Sequence, residues 1–239
     1  HEVRLVDWLD IAATLRDAGK EVVLSTQVLI ESGADVTVLH KITENGQFMV
    51  EANDMGAVHC LEGKAPFVAG PHLNIYNLPT LQWMSGLGLH RWVMPLEMGR
   101  DDLAPLAFSA RCFTARHCNL PKDDCQFKCI EHPDGLMMRT QESEEFLVLN
   151  GIQTQSARVH NLLPELVAMQ QMGVAVVRIS PQSQHTPRIM ALFQDLIQGR
   201  ADAASANAEL LGLMPAKPCN GYWYGKSGMD QVAVAAALV

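Results

Sequence analysis

The chain has 239 residues, enough to bury a large hydrophobic core without needing more than one domain. Its composition, 48% hydrophobic and 18% charged, is typical of a soluble globular protein. The formal net charge of −8 argues against a nucleic-acid partner, because binding a phosphate backbone requires a basic surface. No apolar run reaches the roughly 20 residues of a membrane span, so we expect no transmembrane segment.

The first part of the chain alternates between patterns typical of helices and of strands. Residues 1–18 are predicted to form a helix, because apolar side chains recur every three or four positions and Gly19 can end it. Asn77 is a suitable cap for another helix, which we expect to run to Leu87. The other predicted elements are strands at 21–26, 47–52, 66–69, 72–76 and 91–94, a helix at 28–43 and a short element at 57–60.

The second part of the chain continues this alternation. Its predicted elements are extended segments at 136–140, 146–149 and 151–156, a strand at 174–180, and helices at 162–172, 187–198 and 201–211. Strands that alternate with helices predict a parallel sheet covered by helices, either open or closed into a barrel. One join departs from the pattern, since no helix fits between Leu103 and the strand-like residues 104–111. Either the topology changes there or residues are absent from the sequence.

Polar residues stand at the ends of several predicted strands. They are Ser25, Thr26, Glu51, Asn53, Asn74, Glu97 and Ser180. In barrel folds the carboxyl ends of the strands carry the active site. The sequence assigns no catalytic residue, but Glu51 and Glu97 are its candidates for acid–base chemistry. It contains no H-E-x-x-H, G-x-S-x-G, phosphate-binding or dinucleotide-binding pattern.

Four of the six cysteines lie within residues 110–130. They are Cys112, Cys118, Cys125 and Cys129. A chain with a large core needs no disulfide staples, so we favour thiolate ligands in a cytosolic protein. Zinc and an iron–sulfur cluster both accept thiolates, and the spacing alone leaves these two and a metal-free segment open. Cys60 and Cys219 lie apart from the segment. We expect Cys60 to be a small core side chain and Cys219 to lie in a turn packed by the aromatic residues that follow it.

Several separate motifs resemble one protein family. They are L-S-T, V-E-A-N-D-M-G, S-A-R-C-F-T-A-R, P-K-D-D-C-x₃-C, F-L-V-L-N-G-I-Q-T, R-I-S-P-Q and C-N-G-Y-W. Together they cover nearly the whole chain and resemble the UbiV-type ubiquinone-biosynthesis proteins. These belong to the collagenase-like peptidase family of unassigned mechanism.

The resemblance implies an iron–sulfur protein and not an active protease. Such proteins hold a 4Fe-4S cluster with four cysteines, three of which match Cys112, Cys125 and Cys129. The fourth is expected upstream of His1, so the site is expected to be incomplete in this chain. The implied fold is a TIM-barrel-like (β/α) barrel, also incomplete, forming a single domain over residues 1–239. The family carries an additional helix and strand between the positions of Leu103 and Ala104.

The resemblance also implies a function and partners. Proteins of this type hydroxylate the ring of ubiquinone precursors without oxygen, in the cytoplasm, as a heterodimer with a UbiU-like paralogue. A UbiT-like lipid-binding accessory protein and a prenylated quinone precursor are the further partners. Two alternatives stay open, a peptidase-like hydrolase and a non-catalytic assembly partner with a structural metal site. The ring position, the electron donor, binding of substrate by this subunit and the roles of Cys118 and Cys219 are not specified by the sequence.

Overall fold

The computed structural model describes residues 4–95, 107–108, 112–121, 124–151 and 153–233. Contacts along the chain divide it into two compact units, His1–Met98 and Gly99–Val239. We describe each unit by itself, and the prediction of one domain stays a prediction. Glu97 and the join between Leu103 and Ala104 lie outside the described residues.

The first unit contains a parallel sheet whose strands follow one another in chain order, β1-β2-β3-β4. The strands are β1 Val23–Ser25, β2 Met49–Ala52, β3 Phe67–Ala69 and β4 Leu89–Trp92. The helices are α1 Leu5–Asp17, α2 Gly33–Thr43, α3 Met55–Leu61 and α4 Leu78–Gly86. A helix separates each strand from the next, as a parallel neighbour requires a long crossover. This confirms a mixed α/β architecture with a parallel sheet and helices.

Local capping explains where the helices of this unit begin. Asn77 caps α4 as predicted, because its side chain accepts a hydrogen bond from the Thr80 backbone N–H. The helix predicted at 28–43 starts only at Gly33, since Ser32 caps it through the Asp35 backbone N–H. Asp54 caps α3 in the same way, so the short element at 57–60 is helical. No strand forms at 72–76, where a 3₁₀ turn spans Pro71–Leu73.

The core of the first unit lies between the sheet and its helices. Phe67 on β3 is fully buried, and the sheet contributes residues from its central strands to one apolar cluster. The buried members are Leu39, Ile42, Val50, Ala52, Ala57, Val58, Leu61, Phe67, Ala69, Ile75 and Met84. Central parallel strands are buried on both faces, which explains their continuous apolar sequences.

The second unit contains an antiparallel sheet with the order β5-β8-β7-β6. Its strands are β5 Ala107–Phe108, β6 Leu136–Arg139, β7 Glu145–Asn150 and β8 Gln153–Ser156. The prediction of a parallel sheet is therefore wrong for this part of the chain. The connections at 140–144 and from Asn150 to Gln153 are too short for a parallel crossover and fit antiparallel hairpins. A separate parallel pair joins β9 Val159–His160 to β10 Pro218–Cys219.

The second unit contains the helices α5 Phe113–His117, α6 Leu166–Gln171, α7 Thr186–Ile197 and α8 Ala203–Leu213. Its apolar core is formed by α6, α7, α8 and the 3₁₀ turn Leu163–Glu165. The buried core residues are Leu163, Leu166, Ile189, Leu192, Ala206 and Leu210. Arg188 on α7 joins Glu209 on α8 through an ion pair of 2.6 Å at the surface. None of the helices in the described chain combines the length and apolar character that crossing a bilayer requires.

The predicted strand at 174–180 does not form. Val177 and Ile179 pack partly buried against the core of the second unit, whereas the Val176 side chain is 66% exposed. Inward and outward residues thus alternate over 176–180, as in an extended segment. No strand in the described chain is hydrogen-bonded to it, and a strand exists only with a partner.

Candidate functional site

The three cysteines predicted as cluster ligands lie on two short elements of the second unit. Cys112 is the N-cap residue of α5, and Cys129 lies in the 3₁₀ turn Lys128–Glu131. Cys125 lies just before this turn, and its backbone carbonyl accepts a hydrogen bond from the Lys128 N–H at 3.2 Å. The turn contacts α5. The chain therefore folds back so that one cysteine-bearing element rests on another.

Hydrogen bonds to a hairpin fix the position of α5. The Thr114 hydroxyl is buried and accepts a hydrogen bond from the Gly151 backbone N–H at 3.0 Å. The Phe113 N–H donates in return to the Gly151 carbonyl at 2.8 Å. Gly151 has a φ of +61°, a left-handed conformation that favours glycine. The antiparallel sheet thereby determines where Cys112 lies.

The four thiols of the segment are free and half-buried. The Cys112 Sγ accepts a hydrogen bond from the Ala115 backbone N–H at 3.4 Å. Hydrogen bonds to sulfur are among the features that tune iron–sulfur clusters, so this donor suits such a ligand. Within the described residues, however, no group of three or more His, Cys, Asp or Glu side chains is placed to hold a metal. The donor chemistry fits a thiolate-bound metal, whereas the three sulfurs are not assembled around one point.

Cys118 ends α5, so both ends of this helix carry a cysteine, and the spacing of six residues from Cys112 to Cys118 was the available signal. In the turn that carries Cys129, the pKa of Lys128 is raised, chiefly by its hydrogen bond to Glu131 at 2.6 Å. Arg111 and Lys122, which flank the cysteines, lie outside the described residues.

A second polar cluster lies at the carboxyl ends of β1 and β2 in the first unit. Glu51 is 5% exposed, and its Oε1 accepts hydrogen bonds from the Ser25 hydroxyl and the Asn53 amide, both at 3.3 Å. The Asn53 amide also donates to the Ser25 Oγ at 2.8 Å and to the Thr26 carbonyl at 3.1 Å. These residues gather as expected of parallel strand ends. A catalytic role for Glu51 stays a prediction.

Close packing against Gly70 fixes the Asn53 side chain. A Cβ atom at Gly70 would stand 2.0 Å from the Asn53 Oδ1, so no larger residue fits there without displacing the amide. That Oδ1 is sealed from solvent and accepts no hydrogen bond within the described chain. Asn74 and Ser180, also predicted at strand ends, follow no strand in the structure.

No protein-family model and no solved structure matches the chain significantly. The likeness to UbiV-type proteins therefore rests on the sequence motifs alone.

The two remaining cysteines differ from each other. Cys219 is 3% exposed, as expected of a core residue, and burial raises the pKa of its thiol to about 11. Cys60 is half-buried and lies on α3, with its Sγ 3.8 Å from the His40 Nδ1. The expectation of a small core side chain is therefore wrong for Cys60, which lies at the surface beside a polar partner. Cys219 lies on β10, just before the 3₁₀ turn Gly221–Tyr224 that carries the aromatic side chains.

Proposed function

We propose that this chain is the iron–sulfur subunit of an oxygen-independent hydroxylation system for ubiquinone precursors. The observation that supports it best is the contact between α5 and the 3₁₀ turn, because each carries one of the proposed ligands, Cys112 and Cys129. The motif resemblance provides the reaction and the partners. The chain itself is proposed to be a component of the hydroxylase and not an active protease.

The proposed cofactor is a 4Fe-4S cluster held by Cys112, Cys125 and Cys129 with a fourth ligand. Bound there, the cluster would provide one-electron transfer, with a potential that depends on hydrogen bonds to the sulfurs. The Ala115 N–H already directed at the Cys112 Sγ is one such hydrogen bond. A local rearrangement is required to bring the three sulfurs around one cluster. Metal binding can drive this rearrangement, because the free energy of metal binding contributes to the free energy of folding.

The proposed partners follow from the same resemblance. A UbiU-like paralogue completes a heterodimer, and a UbiT-like lipid-binding protein presents the prenylated quinone precursor in the cytoplasm. The acidic net charge of −8 is compatible with these partners and unsuited to nucleic acid. Copurification of the paralogue with this chain tests the heterodimer.

We also propose that the parallel sheet belongs to a TIM-like barrel. The four strands β1 to β4 follow one another in order with a helix after each of the first three, which is the repeating unit of such barrels. Closing a barrel requires the extended residues 174–180 to pair with another parallel strand. Hydrogen exchange on the protein expressed from its complete gene tests this, because pairing would protect the amides of Ala175, Val176 and Val177. Rapid exchange there would contradict a closed barrel.

Anaerobic purification of the protein expressed from its complete gene tests the cofactor. We expect about four iron and four sulfide per chain, with the absorption of an iron–sulfur cluster. Cys125→Ser should lose iron, whereas the neighbouring Cys118→Ser should retain it. Stoichiometric zinc without iron would contradict the proposal.

The quinone content of cells distinguishes a catalytic role of the metal site from a structural role in an assembly partner. A strain grown without oxygen and carrying Cys125→Ala with Cys129→Ala should make less ubiquinone than its parent. If quinone production is retained, the metal site is structural and the chain is an assembly partner.

A second candidate is a peptidase-like hydrolase, favoured by one contact. The Ser25 hydroxyl donates to the buried Glu51 carboxylate at 3.3 Å, and a carboxylate beside a hydroxyl can act as a base. Peptide cleavage that is lost in Glu51→Gln and retained in Cys112→Ala would support it. The absence of cleavage in the native protein would exclude it.

A further inference from the structure

A thiol, an imidazole and a carboxylate lie together on the surface of the first unit, on residues that belong to neither site described above. Cys60 is on α3, and His40 is on α2, which packs against α3. The His40 Nδ1 lies 3.8 Å from the Cys60 Sγ and 4.0 Å from an oxygen of Glu44, the residue that ends α2. A sulfur hydrogen bond is long, so 3.8 Å is within reach of an S–H donor.

The arrangement differs from those of the other cysteines in the described chain. None of them has an imidazole within hydrogen-bond distance, and the Cys112 Sγ contacts a backbone N–H instead. Cys60 is half-buried, while the side chains of His40 and Glu44 are 53% and 69% exposed. A small molecule can therefore reach the thiol without any rearrangement of the helices.

We propose that Cys60 is a modification site that forms a mixed disulfide with low-molecular-weight disulfides, with His40 as its base. In its neutral form with the proton on Nε2, the His40 ring presents the Nδ1 lone pair to the thiol proton. Transfer of that proton creates a thiolate beside an imidazolium. The nearby Glu44 carboxylate stabilises the imidazolium by its opposite charge.

The reaction balances with the disulfide as oxidant. The Cys60 thiolate attacks one sulfur of the disulfide, a new bond forms between this sulfur and the Cys60 Sγ, and the original sulfur–sulfur bond breaks. The leaving thiolate takes the proton from the His40 imidazolium and departs as a thiol. Cys60 is oxidised to the mixed disulfide, and half of the added disulfide is reduced.

The experiment measures the rate of modification at each cysteine with oxidised glutathione at neutral pH. The whole chain is incubated, quenched with acid, digested and analysed by peptide mass spectrometry. We expect His40→Gln to slow mixed-disulfide formation at Cys60 by about tenfold, less than for an enclosed catalytic base because the pair is open to solvent. The rates at the other cysteines should be unchanged, and Cys60→Ser should lose this product.

The buried Cys219 reports on opening of the second unit in the same experiment, and the midpoint of urea unfolding shows whether His40→Gln disturbs the first unit. Glu44→Gln serves as a second variant that leaves the base in place, and it should slow the reaction at Cys60 by about twofold. A Cys60 rate that is unchanged in His40→Gln would overturn the proposal. A decrease of equal size at every cysteine would overturn it as well, because a base that contacts Cys60 should change the rate at Cys60 alone.

Discussion

Asn53 connects the ends of two parallel strands through its side-chain amide. Its two N–H groups are shared among the Thr26 carbonyl, the Ser25 hydroxyl and the Glu51 carboxylate. The Asn53 backbone N–H donates to the Thr26 hydroxyl at 3.0 Å. Each buried hydrogen bond is worth about 1 kcal/mol net, but a buried polar group left without its partner costs about 1–3 kcal/mol. The cluster is therefore sensitive to any change that moves Asn53.

Gly70→Ala should destabilise the first unit by about 2–4 kcal/mol. The new Cβ would meet the Asn53 Oδ1 at 2.0 Å and the Ala52 carbonyl at 3.0 Å, so overpacking adds to the loss of hydrogen bonds. Urea unfolding measures the difference. The matched control is Gly86→Ala, where nothing lies within 4 Å, and we expect a change of about 0.5–1 kcal/mol in the stabilising direction. Equal effects at the two positions would contradict the packing argument.

Because Cys219 is buried, the second unit should lose stability as the pH rises from neutral into the alkaline range. Its folded-state pKa is raised from 9.0 to about 11, so the unfolded chain releases the thiol proton first as the pH rises. The stabilisation is complete below the unfolded pKa and is lost between about pH 9 and about pH 11. The loss should amount to about 2–3 kcal/mol, since each pKa unit corresponds to about 1.4 kcal/mol.

Urea unfolding of the native chain and of Cys219→Ala, followed from about pH 8 to about pH 11, measures this term. The variant should be less stable at neutral pH because it leaves a cavity, but its stability should fall less steeply. Parallel curves for the two proteins would mean that Cys219 ionises equally in the folded and unfolded chains.

At the scale of elements, the start of α2 depends on a reciprocal pair of hydrogen bonds. The Ser32 hydroxyl accepts from the Asp35 backbone N–H at 3.2 Å, and the Asp35 carboxylate accepts from the Ser32 backbone N–H at 2.9 Å. The pKa of Asp35 is lowered, first by the Ser32 side chain and then by the Glu31 backbone. This capping box outweighs the apolar pattern at 28–32, which alone predicted an earlier start.

Ser32→Ala should cost about 1 kcal/mol of stability, because the helix loses a hydrogen-bond acceptor for one of its first N–H groups. The Asp35 pKa should move back toward its usual value, which nuclear magnetic resonance can follow. Ser85→Ala is the control, since Ser85 lies on the exposed face of α4 and caps no helix. If the two variants unfold at the same urea concentration, the Ser32 cap contributes nothing to stability.

At the scale of the whole molecule, metal binding should raise thermal stability. A ligand that binds only the folded chain stabilises it by mass action, and reconstitution with iron and sulfide should raise the Tm by about 5–10 °C. The combined variant Cys112→Ser, Cys125→Ser and Cys129→Ser should show no rise, whereas Cys118→Ser should behave as the native protein. Differential scanning calorimetry without oxygen measures the shift. A rise that persists in the combined variant would place the metal elsewhere.

The sequence alone determined those features that depend on neighbours along the chain. The helix at Leu5–Asp17, the Asn77 cap and the strands at Met49–Ala52 and Phe67–Ala69 follow from apolar periodicity and capping chemistry, which act within a few residues. The sequence also predicted that Ser25, Glu51 and Asn53 lie close together, because the carboxyl ends of parallel strands lie at one edge of their sheet.

Only the tertiary structure decided which strands pair and which side chains meet. Residues 174–180 have the pattern of a strand, but no strand within the described residues pairs with them. Strands β6 to β8 are antiparallel. Both results depend on hydrogen bonds between strands, and these involve chain segments that are distant in sequence. For the same reason the sequence could not show that Cys60 lies beside His40, or that α5 rests on the turn carrying Cys129. The preference of a segment for helix or strand depends on residues that are close along the chain. A functional site depends on the contacts that folding makes between segments that are far apart in sequence.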